Sequence, residues 1–175
     1  MGKSEAAPTF VSLFSSAGIG DIGLKEAGFH CLASAELVPK RLEVQRLNEI
    51  AAPSDLICGD LNLDEVFDEV ISRVRNHKQK YKKDLTLLVA TPPCQGMSVA
   101  NHKKNDEKTR NSLVVRSIEA IKLARPLTFV FENVPSFMNT ICTGLDGQDR
   151  LIGDEIERTL SGDYEYYSEV LPLQN

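Results

Sequence analysis

The stretch Leu87–Ser98, LLVATPPCQGMS, decides how the rest of the chain is read. Leu87, Leu88, Val89 and Ala90 form a short continuous apolar run, the pattern of a buried strand. Pro92 and Pro93 then stop it and hold the backbone extended into a loop. Cys94 comes next, at the strand's end. In open α/β sheets, chemistry collects outside the carboxyl ends of the strands, so a thiol there stands where a nucleophile would. A small buried hydrophobe is the competing reading, and the commoner one for a free cysteine taken alone.

Outward from this stretch, apolar runs and helical periodicities alternate. Thr9–Phe14 reads as a first strand, and Ser15–Gly23 as a small-residue loop entering a helix through Leu24 and Ala27. His30–Ala35 is a second strand ending at Glu36, followed by a helix with Pro39 in its first turn and Leu42, Val44, Leu47 and Ile50 as apolar positions. Asp55–Cys58 is a third strand closed by Gly59-Asp60, and Leu63–Arg75 carries Val66, Phe67, Val70, Ile71 and Val74 at helical spacing. Asn76–Lys83 reads as a basic, solvated connector, with a phosphate contact as the alternative. Beyond Cys94, Asn101–Arg110 reads as a polar loop and Asn111–Arg125 as a helix. Thr128–Phe131 is a fifth strand running into Glu132, Asn133 and Val134. Gly144–Gly147 is a flexible connection before a helix over Arg150–Leu160, and Tyr164–Leu171 alternates as a sixth strand. The pattern predicts an α/β fold, a doubly wound and mostly parallel sheet, with residues 1–8 a flexible tail and 9–175 one domain.

Composition narrows the classes. With 42% hydrophobic and 26% charged residues in 175, neither a disordered nor a fibrous chain is suggested. No apolar run is long enough to span a membrane. Met1–Pro8 lacks the pattern of a secretory signal, and Ala6 stands where myristoylation wants Ser or Thr. Cys31, Cys58, Cys94 and Cys142 lack paired spacing, which argues against disulfides and metal. A net charge of −5 argues against a broad nucleic-acid-binding face.

Gly18-Ile19-Gly20-Asp21-Ile22-Gly23 satisfies G-x-G-x-x-G after a strand, and Glu36 ends the next strand. That pattern suits a dinucleotide: helix N-terminal amides for the pyrophosphate and an acid for the ribose. Adenosylmethionine also needs close backbone approach and a ribose-binding acid, so the glycines leave a nicotinamide-dependent oxidoreductase, a methyltransferase and a ligand-free glycine turn all open.

Pro93-Cys94-Gln95, Glu132-Asn133-Val134 and Phe14-Ser15-Ser16-Ala17-Gly18 resemble, in order, three motifs of the cytosine-C5 DNA methyltransferases, with Ser16 standing where that family usually has glycine. The resemblance implies a Rossmann-like fold using S-adenosyl-L-methionine, held by Phe14, Ser16, Gly18, Gly20, Glu36, Leu37, Asp60, Leu61 and Pro92. Within that set Glu36 would take the ribose hydroxyls and Asp60 the adenine amino group. Cys94 would add to carbon 6 of cytosine and Glu132 would protonate or hydrogen-bond N3, with its pKa raised by burial beside Phe131 and Val134. Pro93 would direct the Cys94 backbone, Gln95 would touch DNA or orient the thiol, and Asn133 would fix the loop through backbone bonds. The cytosine must leave the duplex stack, and Val99–Arg110, with Lys103, Lys104, Lys108 and Arg110, would close over it. The family continues into a Gln-x-Arg-x-Arg motif and a target-recognition region. The chain is therefore expected to be the N-terminal catalytic part, acting on double-stranded DNA with a C-terminal partner, and working in the cytoplasm at the bacterial nucleoid, or in the nucleus of a eukaryote. A transfer-RNA methyltransferase and a cofactor-binding subunit inactive alone are the other readings.

Overall fold

Five short strands, β1 (Thr9–Leu13), β2 (His30–Glu36), β3 (Leu56–Cys58), β4 (Leu87–Ala90) and β5 (Thr128–Phe131), pair in parallel in the order β3-β2-β1-β4-β5. The computed structural model describes residues 7–93 and 104–171, apart from the side chains of 104–112. Helices α1 (Ile19–Glu26), α2 (Pro39–Leu47), α3 (Asp64–Tyr81), α4 (Lys104–Ala124) and α5 (Ile152–Leu160) connect and follow the strands. A two-stranded antiparallel hairpin, β6 (Ile141–Thr143) with β7 (Asp149–Leu151), stands apart from the sheet. This is the expected α/β architecture.

Strand alternation sorts the core into two layers. Val11 and Leu13 of β1 join the larger cluster with Phe67, Val70, Ile71 and Val74 of α3 and Val114, Ile118 and Ile121 of α4. Phe10 lies in the smaller one with Cys31 and Ala51, against Leu24 and Phe29. Strand order reverses between β1 and β4, so the loops after them diverge and open a crevice. Among the described residues, no helix is long and apolar enough to cross a membrane.

Several boundaries differ from the sequence reading. Asn76–Tyr81 is no connector but the last turns of α3, because Lys and Gln are good helix formers and basic residues suit a helix's negative end. The helix stops at Lys82, in the left-handed region at φ 56. Residues 104–110, read as loop, begin α4, since the run has charged helix formers and no breaker. On α2 the buried pair is Leu42 and Gln45, whereas Val44 and Leu47 are exposed. Gly144–Gly147 is the turn of the β6–β7 hairpin, with Gly147 at φ 78. Tyr164–Leu171 forms no strand. Its aromatics pack by their rings instead: Tyr164 meets Phe129 edge-on at 5.1 Å and its hydroxyl donates to the Pro126 carbonyl at 2.7 Å.

Candidate active site

The loop leaving β1 is wound tightly. Phe14, Ser16 and Gly18 have φ of 59, 51 and 77, all in the left-handed region. A non-glycine residue there costs roughly 1–2 kcal/mol, so Ser16 holds a position that favours glycine. Ser16 is kept there by bonds: its N–H donates to Glu36 Oε2 at 2.9 Å and its carbonyl accepts from Gln45 Nε2 at 2.8 Å. Gln45, fully buried, also donates to Ser15 Oγ at 2.8 Å and accepts from Ser34 Oγ at 2.7 Å. A Cβ on Gly18 would lie 2.5 Å from Ile50 Cδ1 and 2.8 Å from Gln45 Cγ, so only glycine fits. The sequence pointed to the glycines and missed Gln45, whose one signal is a polar residue three positions after Leu42 on the buried face.

Glu36 ends β2 buried, yet both its oxygens are engaged: Oε2 by Ser16, and Oε1 by the Val38 N–H at 2.9 Å and Arg41 Nη1 at 3.2 Å. Three donors fix the carboxylate at the crevice wall while leaving lone-pair capacity. Beyond β3, Asp60 Oδ1 accepts from the Asn62 N–H at 2.9 Å, a turn bond that uses one oxygen. From α4, Arg116 lies over the Phe67 ring at 3.8 Å and donates to the Leu61 carbonyl at 3.1 Å and to Glu119 at 2.6 Å.

On the other side of the switch point, Thr91 Oγ1 donates to the Phe14 carbonyl at 2.9 Å, joining the loops after β1 and β4. Asn133 Nδ2 donates to the Pro92 carbonyl at 2.8 Å while its Oδ1 accepts from the Val134 N–H at 2.9 Å. The Pro92-Pro93 segment is thus tied to the end of β5 by the Asn133 side chain. Glu132 departs from the expectation of burial: it is exposed, and Val134, which was expected to cover it, is itself exposed. Cys94 and Gln95 lie outside the described residues.

These elements enclose a cavity of about 400 Å³, within the range of small-molecule sites. Phe14, Ser16, Glu36, Leu37, Asp60, Leu61 and Pro92 line one part of it, and Pro93, Glu132 and Asn133 the other. Gly18 and Gly20 are not among its lining residues: Gly18 is consumed by packing and Gly20 is exposed. Arg41, Thr91 and Leu113 line it without having been singled out.

Residues 8–146 match the family model of the C-5 cytosine-specific DNA methylases. The chain belongs to this family. A relative, the type II methyltransferase M1.HgaI of Avibacterium volantium, is 29% identical over 92% of the chain and 44% of its own length. Among solved structures, a DNA modification methyltransferase encoded within an E. coli prophage aligns with a TM-score of 0.62 at 21% identity, over 91% of the chain and 39% of its own. The S. pombe Dnmt2 methyltransferase aligns with a TM-score of 0.56 at 16% identity, over 89% and 42%. These two share the fold. The methylase chain spans less than half the length of each of these proteins.

Proposed function

We propose that this chain carries the cofactor site and the chemical groups for methyl transfer from S-adenosylmethionine to carbon 5 of cytosine in DNA. One observation supports the reading above the others: a single cavity is lined at one end by Glu36 and Asp60 and at the other by Pro93 and Glu132, next to Cys94 in the chain. The residues suit the cofactor. Glu36, buried and held by three donors, is an acceptor for a ribose diol, and Asp60 keeps one oxygen for an amino group. Phe14, Leu37 and Leu61 supply apolar walls for a purine. When bound, the cofactor supplies an electrophilic methyl group.

Carbon 5 of cytosine is a weak nucleophile. Cys94 thiolate adding at carbon 6 breaks the ring's conjugation and pushes electron density to carbon 5, while Glu132 donates a hydrogen bond or proton to N3, where charge builds. After transfer, loss of the carbon 5 proton and departure of Cys94 restore the ring. Exposed Glu132 lines the pocket beside Asn133, where a base flipped into the cavity would present N3 to it. The other cysteines suit the task poorly. Burial pushes the Cys31 thiol far up and the Cys142 thiol up to about 11, so neither supplies thiolate near neutral pH.

A nicotinamide dinucleotide fits less well. Gly18 and Gly20 do not line the pocket, and Gly18 is packed beneath Gln45, so the glycine turn offers a pyrophosphate no cradle there. Calorimetry of the wild type with each cofactor, and with Glu36→Gln and Asp60→Asn, tests the reading. Asparagine at 60 keeps the turn acceptor but turns the second oxygen into a donor. Each change is expected to weaken adenosylmethionine about 10- to 100-fold, the worth of one hydrogen bond to a charged group. Binding of the dinucleotide instead would overturn the proposal.

A further inference from the structure

The strands begin at the opposite edge of the sheet from the Glu36 pocket, and a second cavity of about 520 Å³ lies there. Its floor includes Thr9 and Cys31 at the starts of β1 and β2, and its wall is the last turns of α3. Arg73, His77 and Lys80 recur at spacings of four and three on one face of that helix, a row about 10 Å long at the helical rise. His30 from β2 and Lys83 beyond the helix line the same cavity.

The charge here is one-sided. Residues 73–83 hold six lysines and arginines and no acid, in a chain whose net charge is −5; Arg73 also pairs with Glu69 at 3.1 Å and Lys78 with Asp84 at 2.6 Å. Asp55 is the one carboxylate lining the cavity, and it is bridged to Arg73 at 3.8 Å. Lys80 and Lys83 form no salt bridge among the described residues. Attraction to the negative end of α3 accounts for cations in its last turn. It does not account for His30 and Lys83, which reach the same cavity from other elements. Burial first, and then His30 and Lys83, hold the His77 imidazole below its ordinary pKa. Tyr81 adds a second feature. Its ring is 55% exposed, with the His77 ring and Lys80 Nζ each 4.9 Å from its centroid. An exposed aromatic ring beside a lysine is a platform for a base next to a phosphate.

We propose that this groove binds the phosphodiester backbone of a nucleic acid outside the catalytic pocket, with Tyr81 available to stack on a base. The choice of nucleic acid over free phosphate rests on the methylase reading; the groove's shape and charge stand without it. Such a contact adds salt-dependent grip far from the reacting base, where the acidic pocket offers none.

The test is an amide- and histidine-detected NMR titration of the 175-residue chain with a short single strand, the matching duplex and inorganic phosphate at constant ionic strength. Nucleic acid is expected to shift His77, Tyr81 and Lys83 and to raise the His77 titration midpoint. Lys80→Gln with Lys83→Gln, both exposed, should weaken binding about tenfold and lower the slope of log K against log salt by about 1.5–2. Saturation by inorganic phosphate with no tighter binding of either nucleic acid would overturn the proposal in favour of a small anion, and unshifted groove signals would overturn it outright. The Glu36→Gln chain should still bind at the groove. Loss of cofactor binding and loss of groove binding are thereby separate results.

Discussion

At Asp21 a single side chain sets a pH dependence for the whole fold. Its Oδ1 accepts from Ser12 Oγ at 2.9 Å, while Oδ2 is buried with no partner among the described residues. Burial pushes the carboxyl up to about 6 from 3.8, with the Ser12 bond pulling the other way. Because the folded value exceeds the unfolded one, Asp21 binds its proton more tightly in the folded state. Its contribution to stability is full below about pH 4 and is lost as pH rises through 6. Asp21→Asn keeps the acceptor for Ser12 and removes the charge. Urea unfolding at pH 7.5 should show the variant more stable by about 1–3 kcal/mol, one pKa unit being worth about 1.4 kcal/mol. The gap should close towards pH 4, and an equal gap at both pH values would show that charge is not the cause. The sequence marked Glu36 and Asp60 by their places at strand ends. Asp21 carried no such mark, since x in a glycine pattern says nothing of burial. Glu132 shows the converse: apolar neighbours in sequence did not cover it, because burial depends on what packs across the rim.

At the scale of elements, α4 and the Gly59–Leu63 loop are held together by one side chain. Arg116, 18% exposed on its side chain, donates to the Leu61 carbonyl at 3.1 Å, bridges Asp64 at 2.5 Å and Glu119 at 2.6 Å, and stacks over Phe67. The same helix contributes Leu113 to the pocket, two residues upstream of Val115 in the larger core. Arg116→Met keeps a long apolar stem over Phe67 but frees the loop that carries Asp60. Adenosylmethionine affinity should fall about tenfold, with lysine failing to rescue because one ammonium cannot reproduce the fork. A lowered melting temperature with unchanged affinity would reduce Arg116 to packing. The strands, the switch point and the helix faces of α3 and α4 were legible because hydrophobic period and proline placement are local signals. The end of α3, the start of α4 and the β6–β7 hairpin were not. Polar helix formers look like loop when charge is read alone, and the hairpin depends on buried Glu155, whose carboxylate accepts from the Leu145 N–H at 3.0 Å and from Arg158 at 2.7 Å. The alternation at Tyr164–Leu171 misled because a period of two needs a neighbouring strand to become a ladder, and here the rings of Tyr164 and Phe129 meet instead.

Across the whole molecule, the two halves of the sheet are unequally covered. β1 is buried along its length, whereas Val130 on the edge strand β5 is 44% exposed and Leu127 before it 67%. Against that edge, Tyr164–Tyr167, Phe137 and Met138 line a shallow groove with no strand pairing. The chain covers 44% of M1.HgaI, and the methylase reading assigns target recognition and the remaining grip on the base to a further C-terminal portion. Holding reactants in place accounts for about 7–11 kcal/mol of a typical barrier, so chemical groups without substrate grip should turn over very slowly. The net charge of −5 supplies no general attraction for phosphate to compensate. We therefore expect the 175-residue chain to bind adenosylmethionine yet not methylate DNA, and to become active when a C-terminal portion of the family is supplied in trans. A duplex carrying 5-fluorocytosine at the target reports this directly, because fluorine at carbon 5 blocks the final proton loss and leaves the thiol bonded to carbon 6. A covalent adduct at Cys94 should form only in the mixture, and Cys94→Ser should abolish it while leaving cofactor binding intact. An adduct at exposed Cys58 would refute the nucleophile assignment, and efficient methylation by the chain alone would show that the pocket described here already grips its base.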